Sequence, residues 1–331
     1  MTRRMKRIKH ALRVPFEWIG IGVLMCVIPW LPRKGLFALC DFLSAVMYCL
    51  DRRGKRRALE NLHIILGRAS GTEGTKAYNP RRVPYHPTAR EALVIRRSYR
   101  NMARTVGYAF WTCVCAKSRC ARTGVMGAAA RRFYAENRSA VAVSGHIGCW
   151  EILSQLVFLE GRPLMSVAKE IGTRGMTALL MRARRSIGQE IVLAEGASMT
   201  LLKGLREGKV LGLLVDQKVS PKKGGVWIRF FGKPMPVSAA PAFFAARGRI
   251  PVMVAWSRSL RGGRYSYELV DEISAAEARD IWGTTQRIAA DLERIIRRHP
   301  SCWVLNYNYF RQVPTAEELA ELEKRELKRK G

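Results

Sequence analysis

Residues 140–151 read Ala-Val-Ala-Val-Ser-Gly-His-Ile-Gly-Cys-Trp-Glu. Ala140 to Val143 predicts a short buried strand, apolar and partly β-branched, stopped by Ser144 and Gly145. Ile152, Leu153, Leu156, Val157 and Leu159 continue as an apolar helix. His146 therefore falls in a strand-to-helix turn, held by rigid elements yet reachable. Glu151 follows in the helix. In one regular helix the two side chains would stand about 140° apart. They meet only if His146 lies in the turn before the helix, a bend that Gly145 and Gly148 permit. A carboxylate on one imidazole nitrogen fixes the tautomer and leaves the other nitrogen as a general base. The same spacing also suits a capping histidine beside an unrelated helix glutamate.

Downstream, the pattern alternates. Leu164–Lys169 and Glu190–Glu195 predict strands, with a helix over Thr173–Ile187 between them. Ser198–Glu207 predicts a helix stopped by Gly208, and Val210–Val215 a buried strand ending at Asp216-Gln217-Lys218. Ser238–Arg247 reads as helix, Ile250–Trp256 and Tyr265–Val270 as strands. Glu277–Arg298 predicts an amphipathic helix with Ile281, Ile288, Leu292, Ile295 and Ile296 on one face. Cys302–Tyr309 reads as a last strand, before a helix with a Thr315-x-x-Glu318 capping box. Upstream, helix is expected from about Glu91 towards Cys113, after a Gly/Pro-rich loop over 67–90. Strands alternating with helices imply an α/β fold, a mixed sheet flanked by helices. Active residues then belong at the carboxyl ends of strands, where His146 and Asp216 both lie.

Towards the N-terminus, residues 1–13 carry Arg3, Arg4, Lys6, Arg7, Lys9 and Arg13. Val14 to Leu31 is apolar apart from Glu17, and as a helix it rises about 27 Å, enough to cross a hydrocarbon core. This predicts an N-terminal membrane-anchoring helix. A second run, Gly35 to Leu50, is shorter, contains Asp41, and reads as interfacial or packed on the catalytic domain. No small-x-small site marks a cleaved signal peptide. Basic residues flank the first segment on both sides, so charge bias does not set its orientation. The expected division is a leader and anchor over 1–51 and a catalytic domain over 52–331.

The 331 residues hold 58 Lys+Arg against 26 Asp+Glu, a formal charge of +32. Such a field favours anionic partners. The basic residues are spread along the chain, which fits a membrane-facing surface better than a nucleic-acid arm. The eight cysteines show no disulfide framework. Cys113, Cys115 and Cys120 lack a fourth ligand nearby, so no metal site is expected, and reduced thiols on the cytosolic side are the simpler account.

His146-x4-Glu151 after a strand resembles the signature of glycerolipid-type acyltransferases. More closely, the chain resembles the bacterial lipid A late (lauroyl/myristoyl) acyltransferase family. Arg56-Arg57-Ala-Leu-Glu-Asn61-Leu is similar to that family's stretch after its anchor, and Ser98-Tyr99-Arg100-Asn101 to its segment upstream of the active site. Asp216-Gln217, Gly224-Gly225 and Phe230-Phe231-Gly232-Lys233-Pro234 resemble its "DQ…G…FFG.P" block. Arg184 before Gly188 matches its arginine, Lys169 stands where it has another arginine, and Pro300-x-x-Trp303 matches "PxxW". The chain departs at the family's following "WxHRR": here it reads Val304-Leu-Asn-Tyr-Asn-Tyr-Phe310, which opens the possibility of a different acceptor head group.

The resemblance implies a membrane-bound enzyme that passes a fatty acyl chain from an acyl thioester, on acyl carrier protein, to a hydroxyl of a lipid A precursor or related glycolipid. It implies no cofactor beyond that co-substrate and no metal. His146, held by Glu151, would be the base. Asp216, Gln217 and Lys218 would orient a head group, Lys169 and Arg184 hold phosphate or oxyanion charge, and Phe230 and Phe231 wall an acyl channel. Each also has a plain reading, as a capping aspartate, solvated cations and core phenylalanines. The expected location is the inner membrane, with the catalytic domain on the cytoplasmic face and an anionic bilayer as partner. Another lipid acceptor, such as an aminolipid or phosphoglycolipid, and a membrane-tethered nucleic-acid-binding protein are the alternatives. A lipid hydrolase lacks its G-x-S-x-G elbow.

Overall fold

The computed structural model describes residues 27–68, 85–113, 115–168, 174–193 and 196–329. Residues 14–26 of the predicted anchor and most of the predicted 67–90 loop lie outside them; at the anchor's far end Ile28–Trp30 forms a short 3₁₀ turn. Val141 and Val143 of strand β2 (Ala140–Ser144) point to one side of the sheet, Ala140 and Ala142 to the other, and all are buried. That period of two, apolar on both faces, is what a central strand of a covered sheet requires. β2 sits fourth in a seven-stranded sheet of order β1-β9-β8-β2-β5-β3-β4. The other strands are β1 (Gly124–Met126), β3 (Leu164–Ala168), β4 (Glu190–Leu193), β5 (Val210–Leu214), β8 (Val252–Ser259) and β9 (Tyr265–Ile273). All neighbours run parallel except β8 and β9, so the sheet is mixed.

Helices cover both faces. One apolar cluster joins α2 (Arg52–Ile65), α8 (Ala197–Arg206), α9 (Ala240–Gly248) and α10 (Ile281–Arg298). The opposite cluster joins α1 (Arg33–Leu50), α4 (Ala116–Thr123), α5 (Ala128–Glu136) and α6 (Trp150–Leu159). Helix α3 (Ala89–Trp111), opened by a Thr88/Glu91 capping box, contributes Ile95 and Tyr99 to the first and Tyr108, Phe110 and Trp111 to the second. It thus wraps from one layer to the other. Helix α7 (Arg174–Ser186) follows β3, and α11 (Ala316–Lys328) closes the chain with the expected Thr315/Glu318 capping box.

Two expectations change. Trp303 to Tyr309 is no strand: a short 3₁₀ turn over Pro300–Cys302 leads into an irregular buried segment, with a single bridge from Trp303 to Ile147. A sheet ladder is replaced there by side-chain amides that satisfy the backbone, described below. Helix α10 begins at Ile281, capped by Asp280, and Ile281 itself is exposed. The "FFG.P" block is a hairpin, β6 (Gly225–Phe230) and β7 (Lys233–Ser238). Phe231 and Gly232, both at positive φ, make its two-residue turn.

The run 35–50 is helix α1, packed on α3 through Leu36, Cys40 and Ser44. Among the described residues, no helix is long and apolar enough to cross a membrane.

Candidate active site

β2 and β5 lie side by side in parallel, and their register pairs Ser144 with Leu214. Two residues beyond each partner stand His146 and Asp216. Equal steps past a paired register bring the two side chains together, and His146 Nδ1 donates to Asp216 Oδ1 at 2.7 Å. Gly145 lets the turns approach this closely, since a Cβ there would stand 3.1 Å from Asp216 Cβ. Asp216 is fully buried, while about a quarter of the His146 side chain reaches solvent. With Nδ1 donating to the carboxylate, Nε2 is left as the acceptor, the arrangement a general base needs.

Glu151 does not hold His146. His146 does stand in the turn before α6, but the carboxylate at its Nδ1 belongs to Asp216. Glu151, in the first turn of α6, is forked by Arg184 of α7 at 2.7 and 3.2 Å and also accepts from Trp150 Nε1. The helix carries Glu151 round to the face that meets α7, so spacing along the chain did not become contact. Its charge is still felt at the imidazole. Burial disfavours the charged ring, but Asp216, with a smaller contribution from Glu151, outweighs this and raises the His146 pKa above its ordinary value. Burial likewise opposes ionisation of Asp216, yet His146 and the indole of Trp303 hold its carboxyl below the usual range.

The turn is braced from three sides. Gly148, at φ +65°, lies so close to Ser257 of β8 that a Cβ would collide with its carbonyl. Asn101 of α3 donates to the carbonyls of Gly148 and Cys302, and Thr105 donates to Gly148 as well. Gly148 N–H donates to Cys302 O.

The buried segment after Cys302 completes the site. Trp303 Nε1 donates to Asp216 Oδ2 at 2.8 Å, fixing the oxygen that His146 leaves free. The indole is stacked on Tyr309 and walled by Phe230 and Phe231. Its backbone is strapped down by Ser98, which accepts from Leu305 N–H and donates to Trp303 O, and by Asn61, whose amide donates to Leu305 O and Tyr307 O. The "NL", "SYRN", "DQ", "FFG.P" and "PxxW" stretches, scattered over about 240 residues, therefore meet in one network.

Phe230 and Phe231 are buried in the core, where they pack against the indole. The space beneath Asp216, bounded by Ile228, Phe230 and Leu292, is about 10 Å³, room for about one water. Gln217 and Lys218 follow Asp216 half-buried, and burial with the nearby Arg311 and Arg57 lowers the Lys218 pKa. Lys169 lies outside the described residues. Arg184 is committed to Glu151.

The model of the bacterial lipid A biosynthesis acyltransferase family matches residues 81–312, which span the sheet and all of this network except Asn61. The chain belongs to that family. No curated protein matches the chain. Family membership makes the protein an acyltransferase with lipid A-like acceptors, so the buried histidine–aspartate–tryptophan line is the natural candidate for its acyl-transfer chemistry. Trp303 is the site residue that sequence reasoning missed. The only signal was its "PxxW" match, and a core tryptophan explains that equally well until its N–H is seen to face a carboxylate.

Proposed function

We propose that the acyltransferase takes a fatty acyl chain from a thioester on acyl carrier protein and passes it to a hydroxyl of a lipid A precursor or related glycolipid, at the cytoplasmic face of the inner membrane. His146 Nε2 accepts the proton of the acceptor hydroxyl as that oxygen attacks the thioester carbonyl; collapse of the tetrahedral intermediate expels the carrier thiolate, which takes up the proton. Asp216 holds the imidazole in the base-competent tautomer and steadies the imidazolium. Trp303 holds Asp216. Glu151, bound by Arg184, adds negative potential and orders α6 against α7. The His146 amide is engaged by the Asp216 carboxylate, so the oxyanion falls to other donors of the turn.

The 2.7 Å contact between His146 and Asp216, at the carboxyl ends of adjacent parallel strands, is the observation that carries this reading. The absent "WxHRR" cations favour a glycolipid head group other than the family's usual one, and an aminolipid or phosphoglycolipid acceptor remains the alternative. Incubation with labelled acyl-carrier thioester tests it. Label should move to lipid only when acceptor is present. Release of free fatty acid alone would mean hydrolysis, and salt-dependent duplex binding without transfer would mean a nucleic-acid role.

A further inference from the structure

Helix α1 buries Leu36, Cys40 and Ser44 and turns apolar side chains outward. Phe42, Val46 and Leu50 stand in one exposed column, Leu43 and Met47 in the next. Beside these columns, α1 and α3 enclose an open groove of about 510 Å³, lined by Tyr48 and Leu93 and by Arg96, Arg97 and Arg100. Asp41 is the acid in the groove, and both of its oxygens are already forked by Arg104 at 2.7 and 2.6 Å. The Arg96 guanidinium lies over the Tyr48 ring. Arg97 and Arg100 have no acidic or carbonyl partner among the described residues.

Arg100 is one helical turn from both Arg96 and Arg97, so three like charges crowd one groove, and an anion relieves their repulsion. Guanidinium forks match phosphate oxygens in pairs. A phosphate alone leaves the apolar columns in water. So does an acidic protein surface or a duplex. A molecule with a phosphate at one end and acyl chains at the other covers both.

We propose that this groove binds one anionic glycerophospholipid of the bilayer, its phosphate on Arg96, Arg97 and Arg100 and its chains along Phe42, Val46 and Leu50. None of these residues belongs to the His146 network. The inference deepens the membrane part of the proposed function and needs no acyl transfer to be tested.

The full chain in neutral detergent micelles is titrated with phosphatidylglycerol or phosphatidylcholine, and bound lipid is counted by native mass spectrometry. Wild type should retain one phosphatidylglycerol and discriminate against phosphatidylcholine. R96Q/R97Q/R100Q should weaken that binding about tenfold or more. R97Q/R100Q, at two exposed positions without an acidic partner among the described residues, serves if the triple variant folds poorly. F42S/V46S should also weaken it, while R131Q/R132Q on the exposed face of α5 should not. Unchanged binding in the arginine variants, or equal retention of phosphatidylcholine, overturns the site. Full competition by inorganic phosphate, with F42S/V46S unaffected, makes it a free-anion site instead; full competition by an acidic carrier protein makes it a protein-docking surface. A chain that binds the lipid but transfers no acyl group leaves this inference standing and sinks the catalytic one.

Discussion

His146 and Asp216 shift each other's titration in opposite directions, and both shifts can be read. Between the ordinary values, about 3.9 for aspartate and about 6.5 for histidine, both groups are charged in the native state. Their pairing stabilises the fold fully there. It is lost as pH rises through the raised His146 pKa and as pH falls through the lowered Asp216 pKa. Catalysis needs the neutral ring, so kcat/KM should climb with pH to a midpoint above about 6.5. A midpoint below that value would mean Asp216 does not govern the base. His146→Ala should abolish transfer: of the other histidines, His299 is stacked on Trp256 at a helix end and His63, on α2, is paired with Glu91 of α3.

Asp216→Asn should cost about 10²–10⁴ in kcat/KM for a reason peculiar to this site. Trp303 Nε1 only donates, so it draws the amide oxygen to itself and leaves the amide NH₂ facing His146 Nδ1. The imidazole must then accept there and carry its proton on Nε2, the wrong tautomer for a base. Adding Trp303→Phe frees the amide to turn, and the double variant should be no less active than Asp216→Asn alone. Multiplicative losses would show that the tryptophan acts independently of the aspartate.

At the scale of elements, the straps from α2 and α3 decide whether the indole stays in place. Asn61→Ala removes the donor from the buried Leu305 carbonyl and the part-buried Tyr307 carbonyl and should lower stability by roughly 1–3 kcal/mol. If the Trp303 segment is what it holds, turnover of the folded fraction should fall as well. Normal turnover with reduced stability would confine Asn61 to packing.

Between β9 and α10 lies a second carboxylate contact. Burial and the neighbouring Asp271 push the Asp291 carboxyl up to about 7, with Arg294 at 2.6 Å only partly offsetting them. Its folded value lies above the unfolded one of about 3.9, so the native state binds the extra proton and stability falls as pH rises from about 4 to about 7. Asp291→Asn should remove that decline, raising the urea midpoint at about pH 8 while leaving it nearly unchanged at about pH 4. A variant that tracks wild type across the range would show that Asp291 is ionised throughout.

For the whole molecule, the charge of +32 and the apolar outer face of α1 act together at a surface. Charge attraction alone is screened by salt, while buried apolar area is not. The full chain should therefore stay in the membrane pellet through high-salt and carbonate washing. Release by moderate salt would make the attachment electrostatic only and would count against both the anchor expected over 14–31 and the exposed columns of α1.

The alternation of strands and helices was legible in the sequence because each element carries its own period: two in Ala140–Val143, near 3.6 in α10. The position of His146 at a strand end was legible for the same reason, and so was the family, through motifs whose order survives along the chain. The partner of His146 was not. Glu151 is near in sequence, but the helix turns it towards Arg184. Asp216, seventy residues on, is brought in by the pairing of β2 with β5, a register that no local pattern states. Trp303 was misread for a related reason. Its segment is apolar enough for a strand, and only the packed structure shows its backbone bonded by Asn61, Ser98 and Asn101 in place of a neighbouring strand. Local sequence settles what an element is where its period is clear, as in β2 and α10. Which side chains share one buried site is decided by contacts between strands and helices far apart in the chain, through hydrogen bonds that exist only once the core has closed.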